Sequence, residues 1–145
     1  MEVIKFAKLY PDAEMPTKGS EKAAGYDLYA YTTHDIIIMP HTTVKVGTGI
    51  SIQPPEGYFG AIFPRSGLAT NYGLRPANCV GVCDEDYTGE YVVAVHNDTE
   101  KSQIVAHGER IAQLVFLPYL SVEFAEVKEL DKTERGAGGF GSTGK

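Results

Sequence analysis

The stretch GVCDEDYTGEYVV crowds three carboxylates, Asp84, Glu85 and Asp86, into an otherwise apolar run and follows them with Tyr87 and Gly89. The plain reading is an acidic turn in water. Held beside phosphates, an Asp can instead orient and deprotonate a water, and a general base contributes roughly 10²- to 10⁴-fold in rate. A tyrosine ring next to it suits the face of a sugar, where it would sterically refuse a 2′-hydroxyl. In FPRSGLA, Arg65 and Ser66 stand before Gly67 and after a proline that fixes the turn. A cation, a hydroxyl and free backbone N–H groups at one turn suit a phosphate, although P-R-S-G also makes an ordinary surface turn. GERIAQLVF adds Arg110 and Gln113 at the start of a strong strand. Both are structural by default, and the Gln amide can also donate to phosphate.

A second group of chemically suited residues lies in RGAGGFGSTGK. Gly136, Gly138 and Gly141 match G-x-G-x-x-G, and Gly139 to Lys145 match G-x-x-x-x-G-K. The dinucleotide pattern requires a strand before it and a helix after it. The preceding KELDKTE is no strand, so both matches fail on context. From about Thr133 the only large apolar side chain is Phe140, and such a segment builds no core of its own. A disordered tail is the simple interpretation. A neutral tail, however, has no need of Arg135, Phe140, Ser142 and Thr143. Arg135 offers a planar fork to phosphate oxygens, the glycines let backbone N–H groups approach an anion, the hydroxyls donate, and Phe140 offers a face to a base. Together they describe a nucleotide clasp.

These groups need rigid elements to hold them. Val44, Val46, Ile50 and Ile52 recur at two-residue spacing in TTVKVGTGISIQ, as do Leu120, Val122 and Phe124, with Val127 nearby, in YLSVEFAEV. Period two predicts half-buried strands in both. VIKFAKL, DIIIMP, YFGAIFP, EYVVAVHN, QIVAH and RIAQLVFLP add short apolar runs bounded by turn residues. Many short strands predict an all-β sandwich or barrel, with SGLATNY as the one short helix. Sixteen Gly, eight Pro and nine Tyr agree with strands and turns. The 145 residues, 43% hydrophobic, fit one domain. The expected organisation is a barrel over residues 1–132 and a mobile arm over 133–145.

Composition narrows the function. A net charge of −6 argues against sequence-independent nucleic-acid binding, which wants a basic face. Cys79 and Cys83 lack C-x-x-C spacing, and the four histidines form no metal-ligand pattern. The cysteines are expected to be core or half-buried thiols, and no protein-ligated metal is predicted. Asn97-Asp98-Thr99 matches a glycosylation sequon and is read as chance. MEVIKFAKLYPDAEMP contains no uninterrupted apolar stretch, so neither a signal peptide nor a membrane span is expected. A cytoplasmic location, or a nuclear one in a eukaryote, is the expectation.

In order along the chain, AAGYDLYA, PRSGLA, GVCDEDYTGE, GERIAQLVF and RGAGGFGSTG resemble the five motifs of the homotrimeric dUTP pyrophosphatases, the dUTPases. The resemblance runs essentially end to end. It implies a jelly-roll-like β-barrel, a homotrimer with active sites built from all three chains, and hydrolysis of dUTP to dUMP and pyrophosphate. Asp84 matches the carboxylate that activates water, Tyr87 the ring on the deoxyribose, and Asn78, ahead of Gly81, the hairpin position that helps read uracil. Arg65, Ser66, Gly67 and Gln113 match phosphate contacts. Arg135, Phe140, Gly141, Ser142 and Thr143 match the arm that closes over a site formed by the other two subunits. Asp27 matches the first motif's acidic residue, and it and Arg110 are supporting candidates. Mg²⁺ in that family is held through the triphosphate and water. A dCTP deaminase of similar fold and a non-catalytic nucleotide-binding regulator are the alternatives; the Asp-x-Asp-Tyr arrangement at Asp84, Asp86 and Tyr87, which such deaminases usually lack, speaks against the first, and retention of every chemically active motif residue against the second. Two departures stand out: Cys83 replaces a usual aliphatic residue, and Asn71 a frequent basic one.

Overall fold

The computed structural model describes residues 3–142 and 144. Strand β8 (Glu90–Asn97) shows why the chain folds as it does: Tyr91, Val93, Val95 and Asn97 point inward and are fully buried, while Val92 is 40% exposed. A strand with one apolar face must bury that face against another sheet. The partners of β8 are β4 (Thr43–Gln53) on one side and β6 (Leu74–Pro76) on the other, and β1 (Lys5–Lys8) pairs with the far edge of β4. A second antiparallel sheet has the order β2 (Tyr26–Tyr29), β10 (Arg110–Pro118), β5 (Tyr58–Phe63), β7 (Gly81–Cys83). Two short strands, β3 (Ile36–Ile38) and β9 (Gln103–Val105), pair separately. Val46, Ile50, Val93 and Val95 from the first sheet meet Leu28, Ile62, Ile111 and Leu114 from the second in one apolar cluster, with Ile38 and Val105 from the small pair. This is the expected jelly-roll-like, all-β architecture.

The helix expected over SGLATNY is present as α1 (Ser66–Tyr72), and it ends at Gly73, whose φ of 64° suits glycine and closes the last turn onto Ala69 and Leu68 carbonyls. Strand β4 keeps its period through Val46, Ile50 and Ile52 but carries a bulge between Gly47 and Ser51 in its pairing with β8. Gly49, at φ 69°, sits in that bulge.

Three expectations need correction or closure. YLSVEFAEV forms no strand: residues 119–127 are irregular, and Leu120, Val122, Phe124 and Val127 are exposed, Phe124 almost completely. The alternation is real, but a strand also needs an edge to pair with, and this segment lies against none of the sheet edges. Cys79 is exposed, on the tip of the β6–β7 turn, and only Cys83 is a core thiol. The Asn97 side chain is buried, its amide donating to the carbonyls of Ile38 and Lys101 at 2.9 and 2.7 Å, so the sequon has no room for a glycan.

Candidate active site

The sites expected from sequence fall into three separate groups. The first surrounds Asp27. Its backbone N–H bonds to Thr17 at 2.7 Å, and its carboxylate, only 14% exposed, takes Arg65 Nε at 2.8 Å on one oxygen and Arg110 Nη1 at 3.3 Å on the other. The carboxylate therefore fixes two cations side by side and neutralises part of their mutual repulsion. Arg65 is the N-cap of α1 and offers no side-chain cap. Its Nη1 makes only a long 3.4 Å contact to the Arg110 carbonyl, so the outer edge of the fork is available to an anion. Ser66 and Gly67 open the helix beside it, exposed, and nothing lies within 4 Å of where a Gly67 Cβ would be. Gln113 Nε2 donates to the Pro64 carbonyl at 2.9 Å, which holds the P-R-S-G turn against β10. Asp27, Arg65, Ser66, Gly67, Arg110 and Gln113 line one concavity.

The second group is carried by the β6–β7–β8 segment. Asn78 is exposed at the turn between β6 and β7, where Cys79 takes the left-handed conformation at φ 63°. Arg75 braces that turn from behind: a bidentate pair with Asp98 at 2.6 and 3.1 Å orients it, and its Nη1 donates to the Pro76 carbonyl at 3.2 Å. No pattern in the sequence marks Arg75 for this role, because its partner is 23 residues away. Gly81 is buried, and a Cβ there would meet Ile62 Cβ at 3.1 Å. Asp84 follows β7 and is exposed to solvent in a cleft shared with Glu85, Asp86 and Tyr119. Tyr87, 43% exposed, donates its hydroxyl to the Glu90 carbonyl at 2.7 Å.

The three adjacent carboxylates differ. Glu85 accepts from the Tyr119 hydroxyl at 2.6 Å and the Gly57 N–H at 2.9 Å, and these bonds, Tyr119 first, hold its carboxyl below the usual range. A stabilised, doubly bonded carboxylate is a weak base, and Glu85 serves as a clamp between the β4–β5 turn and the chain leaving β10. Among the described residues no hydrogen bond reaches the Asp84 carboxylate, which remains the candidate base. Beneath it, the Cys83 thiol and the Tyr91 hydroxyl are buried together without a well-formed hydrogen bond. Burial pushes the Cys83 thiol up to about 11, chiefly by desolvation.

The third group is the arm. Arg135 Nε donates to the Gly138 carbonyl at 2.8 Å, and Ser142 N–H bonds to Gly139 at 3.1 Å. Phe140 is fully exposed at φ 51°, and Gly141 follows at φ 82°. Thr143 lies outside the described residues.

Strand register separates the first two groups. Cys83 pairs with Gly60, so Asp84 stands level with Phe59, whereas Gln113 pairs with Phe63 at the other end of β5. At about 3.3 Å per residue the offset along the strand is roughly 13 Å, and Arg65 lies beyond it. The candidate base and the phosphate-suited turn therefore stand at opposite ends of β5.

Comparison with known proteins agrees with these motifs. The family description dUTPase matches residues 11–144. The chain is 48% identical over 144 residues to the deoxyuridine 5′-triphosphate nucleotidohydrolase of Desulfitobacterium hafniense, with 97% of this chain and 95% of that protein covered. It is 44% identical to the protein of the same name from Paramecium bursaria Chlorella virus 1, with 99% of each covered. The structure of the Staphylococcus bacteriophage 80alpha dUTPase with dUPNHPP matches with a TM-score of 0.86 at 26% identity, over 100% of both chains. Family match, near-half identity and fold all extend over essentially the whole sequence: the chain belongs to the dUTPase family.

Proposed function

We propose that the protein hydrolyses dUTP to dUMP and pyrophosphate in sites shared among three copies of the chain. Family membership carries the reaction. The register offset between Asp84 and Arg65 carries the sharing. In this reading one copy supplies Arg65, Ser66, Gly67 and Gln113 to the phosphates, Asp27 and Arg110 keeping Arg65 in place. A second copy supplies Asn78 and Gly81 to uracil, Tyr87 to the deoxyribose, and Asp84 to the water that attacks the α-phosphorus. Asp84 takes the proton as the oxygen bonds to phosphorus, and pyrophosphate leaves with the electron pair of the broken P–O bond. A third copy closes Arg135, Phe140, Gly141, Ser142 and Thr143 over the triphosphate, excluding bulk water. The reaction removes a uracil-bearing DNA precursor and yields dUMP for thymidylate synthesis.

Among the described residues no group of three or more His, Cys, Asp or Glu side chains is arranged as a metal cage. In this reading Mg²⁺ would be carried by phosphate oxygens and water, the ion's usual habit with nucleotides. When bound there it would neutralise charge on the triphosphate.

The test is a substrate panel with magnesium, in which pyrophosphate and ammonia are measured separately. Pyrophosphate should appear from dUTP at least about a hundredfold more efficiently than from UTP, dCTP or dTTP. Comparable kcat/KM for UTP or dTTP would overturn the specificity, and ammonia from dCTP would indicate deaminase chemistry. Sedimentation should show three copies, and a fully active monomer would refute the shared site.

A further inference from the structure

Nine positions of this chain separate β7 from the middle of β8, and one of them, Gly89, is explained by neither turn geometry nor substrate contact. Seven glycines have positive φ, and Gly89 is not among them. Its backbone is one that alanine adopts without strain. What an alanine would meet is the ring of Tyr87: a Cβ at position 89 would lie 2.6 Å from the Tyr87 hydroxyl oxygen, 2.7 Å from Cζ and 2.9 Å from Cε2. At Gly19, Gly67 and Gly139, by contrast, nothing lies within 4 Å. The hydroxyl end of the ring lies against the glycine. Because the ring is a rigid plane on two rotatable bonds, no small adjustment of its far end relieves such a contact, and the whole ring must lift.

Two further contacts locate the ring. Its hydroxyl donates to the Glu90 carbonyl at 2.7 Å, and its centroid lies 6.2 Å from that of the fully buried Tyr91. Glu90 is itself anchored, since its Oε1 accepts the Gly49 N–H at 2.9 Å in the β4 bulge. The position of the Tyr87 ring is therefore referred to the barrel core through β8.

We infer that Gly89, with the Glu90 carbonyl, is a positioning element that sets the height of the Tyr87 ring and thereby the discrimination between deoxyribose and ribose. The inference rests on the reading that Tyr87 packs against the sugar. A ring lifted by the width of a methyl group would press on the deoxyribose itself, and tilting away to relieve that pressure would open room for the 2′-hydroxyl. Specificity of this kind is a difference between two transition-state affinities, and a shift of a fraction of an ångström alters it.

The experiment measures kcat and KM for dUTP and UTP in Gly89→Ala, Tyr87→Ala, Tyr87→Phe and the double variant Gly89→Ala/Tyr87→Ala, with melting temperature as the control for folding. Gly89→Ala should reduce the dUTP-to-UTP ratio of kcat/KM about tenfold or more, chiefly through KM for dUTP, with kcat for dUTP within about threefold of the parent. In the Tyr87→Ala background the same substitution should add less than about twofold, because there is no ring left to lift. Tyr87→Phe, which keeps the ring and its place on Gly89, should loosen the ratio by a few fold through loss of the bond to Glu90; an unchanged ratio would remove the carbonyl from the proposal. If Tyr87→Ala keeps the parent ratio, the sugar reading itself fails. If Tyr87→Ala loses the ratio while Gly89→Ala keeps it, or if Gly89→Ala acts equally in both backgrounds, the positioning role is overturned and the sugar reading stands.

Discussion

Arg65 and Arg135 carry the same guanidinium and are held in opposite ways. Arg65 leaves the end of a barrel strand with its Nε on the Asp27 carboxylate at 2.8 Å and one quarter of its side chain exposed. Arg135 has its Nε at the same 2.8 Å from a carbonyl three residues further along its own arm, in a segment whose residues are all exposed from Tyr119 to Ala137. Folding sets the position of the first arginine before any substrate arrives. The second is held, among the described residues, only by its own arm. Fixing one residue's backbone costs about 1–2 kcal/mol, so ordering ten glycine-rich residues costs on the order of 10 kcal/mol, of which stacking by Phe140 returns ~1–3 kcal/mol. The remainder falls to Arg135, the hydroxyls and the backbone N–H groups gathered on phosphates. On the proposed function the triphosphate would act as the core the arm lacks, so groups on the barrel should govern chemistry while groups on the arm govern commitment of the bound substrate.

The sharpest way to break this contrast is at Asp84. Asp84→Asn should keep the parent's assembly and most of its nucleotide affinity and lose roughly 10²-fold or more in kcat, since the amide cannot take the proton. Near-parent turnover in a correctly assembled variant would transfer the base to Asp86, because Glu85 is already committed to Tyr119 and Gly57. Removing residues 133–145 should have a smaller but still strong effect, on the order of tenfold or more in kcat/KM, with the melting temperature nearly unchanged. Phe140→Ala should give a milder form of the same loss. Hydrogen exchange on the arm with and without a non-hydrolysable dUTP analogue reports the cause directly: equal protection in both states, or full activity after the deletion, would make the arm a passive tail.

The smallest expected effect concerns stability beneath the catalytic turn. The Cys83 thiol is raised by burial from 9.0 to about 11, so the folded protein holds a proton that the unfolded chain releases first. Its contribution is complete below about pH 9 and is lost as pH rises toward 11. The size is on the order of 2 kcal/mol across that window. Urea unfolding between pH 8 and 11 should therefore show a steeper alkaline loss in the parent than in Cys83→Val. Identical slopes would mean the buried thiol is not linked to folding.

Much of this molecule is written locally. The alternation in EYVVAVHN, the turn residues that bound each strand, and the Gly73 that ends SGLATNY act over a few residues, and their outcome follows from side-chain period and backbone sterics without knowledge of the partners. The motif residues are legible for the same reason, since Asp84, Tyr87 and Gly89 sit within six consecutive positions. What only the tertiary structure decided are matters of register and neighbour. The pairing of Cys83 with Gly60 and of Gln113 with Phe63 puts the candidate base and the phosphate contacts at opposite ends of β5. Tyr119 and Gly57 distinguish Glu85 from Asp84, Asp98 turns Arg75 into a brace, and the carbonyls of Ile38 and Lys101 bury the side chain of a sequon. YLSVEFAEV shows the limit most plainly. Its period is that of a strand, yet the free energy of a strand lies in the edge it pairs with, and residues 119–127 pair with no strand here.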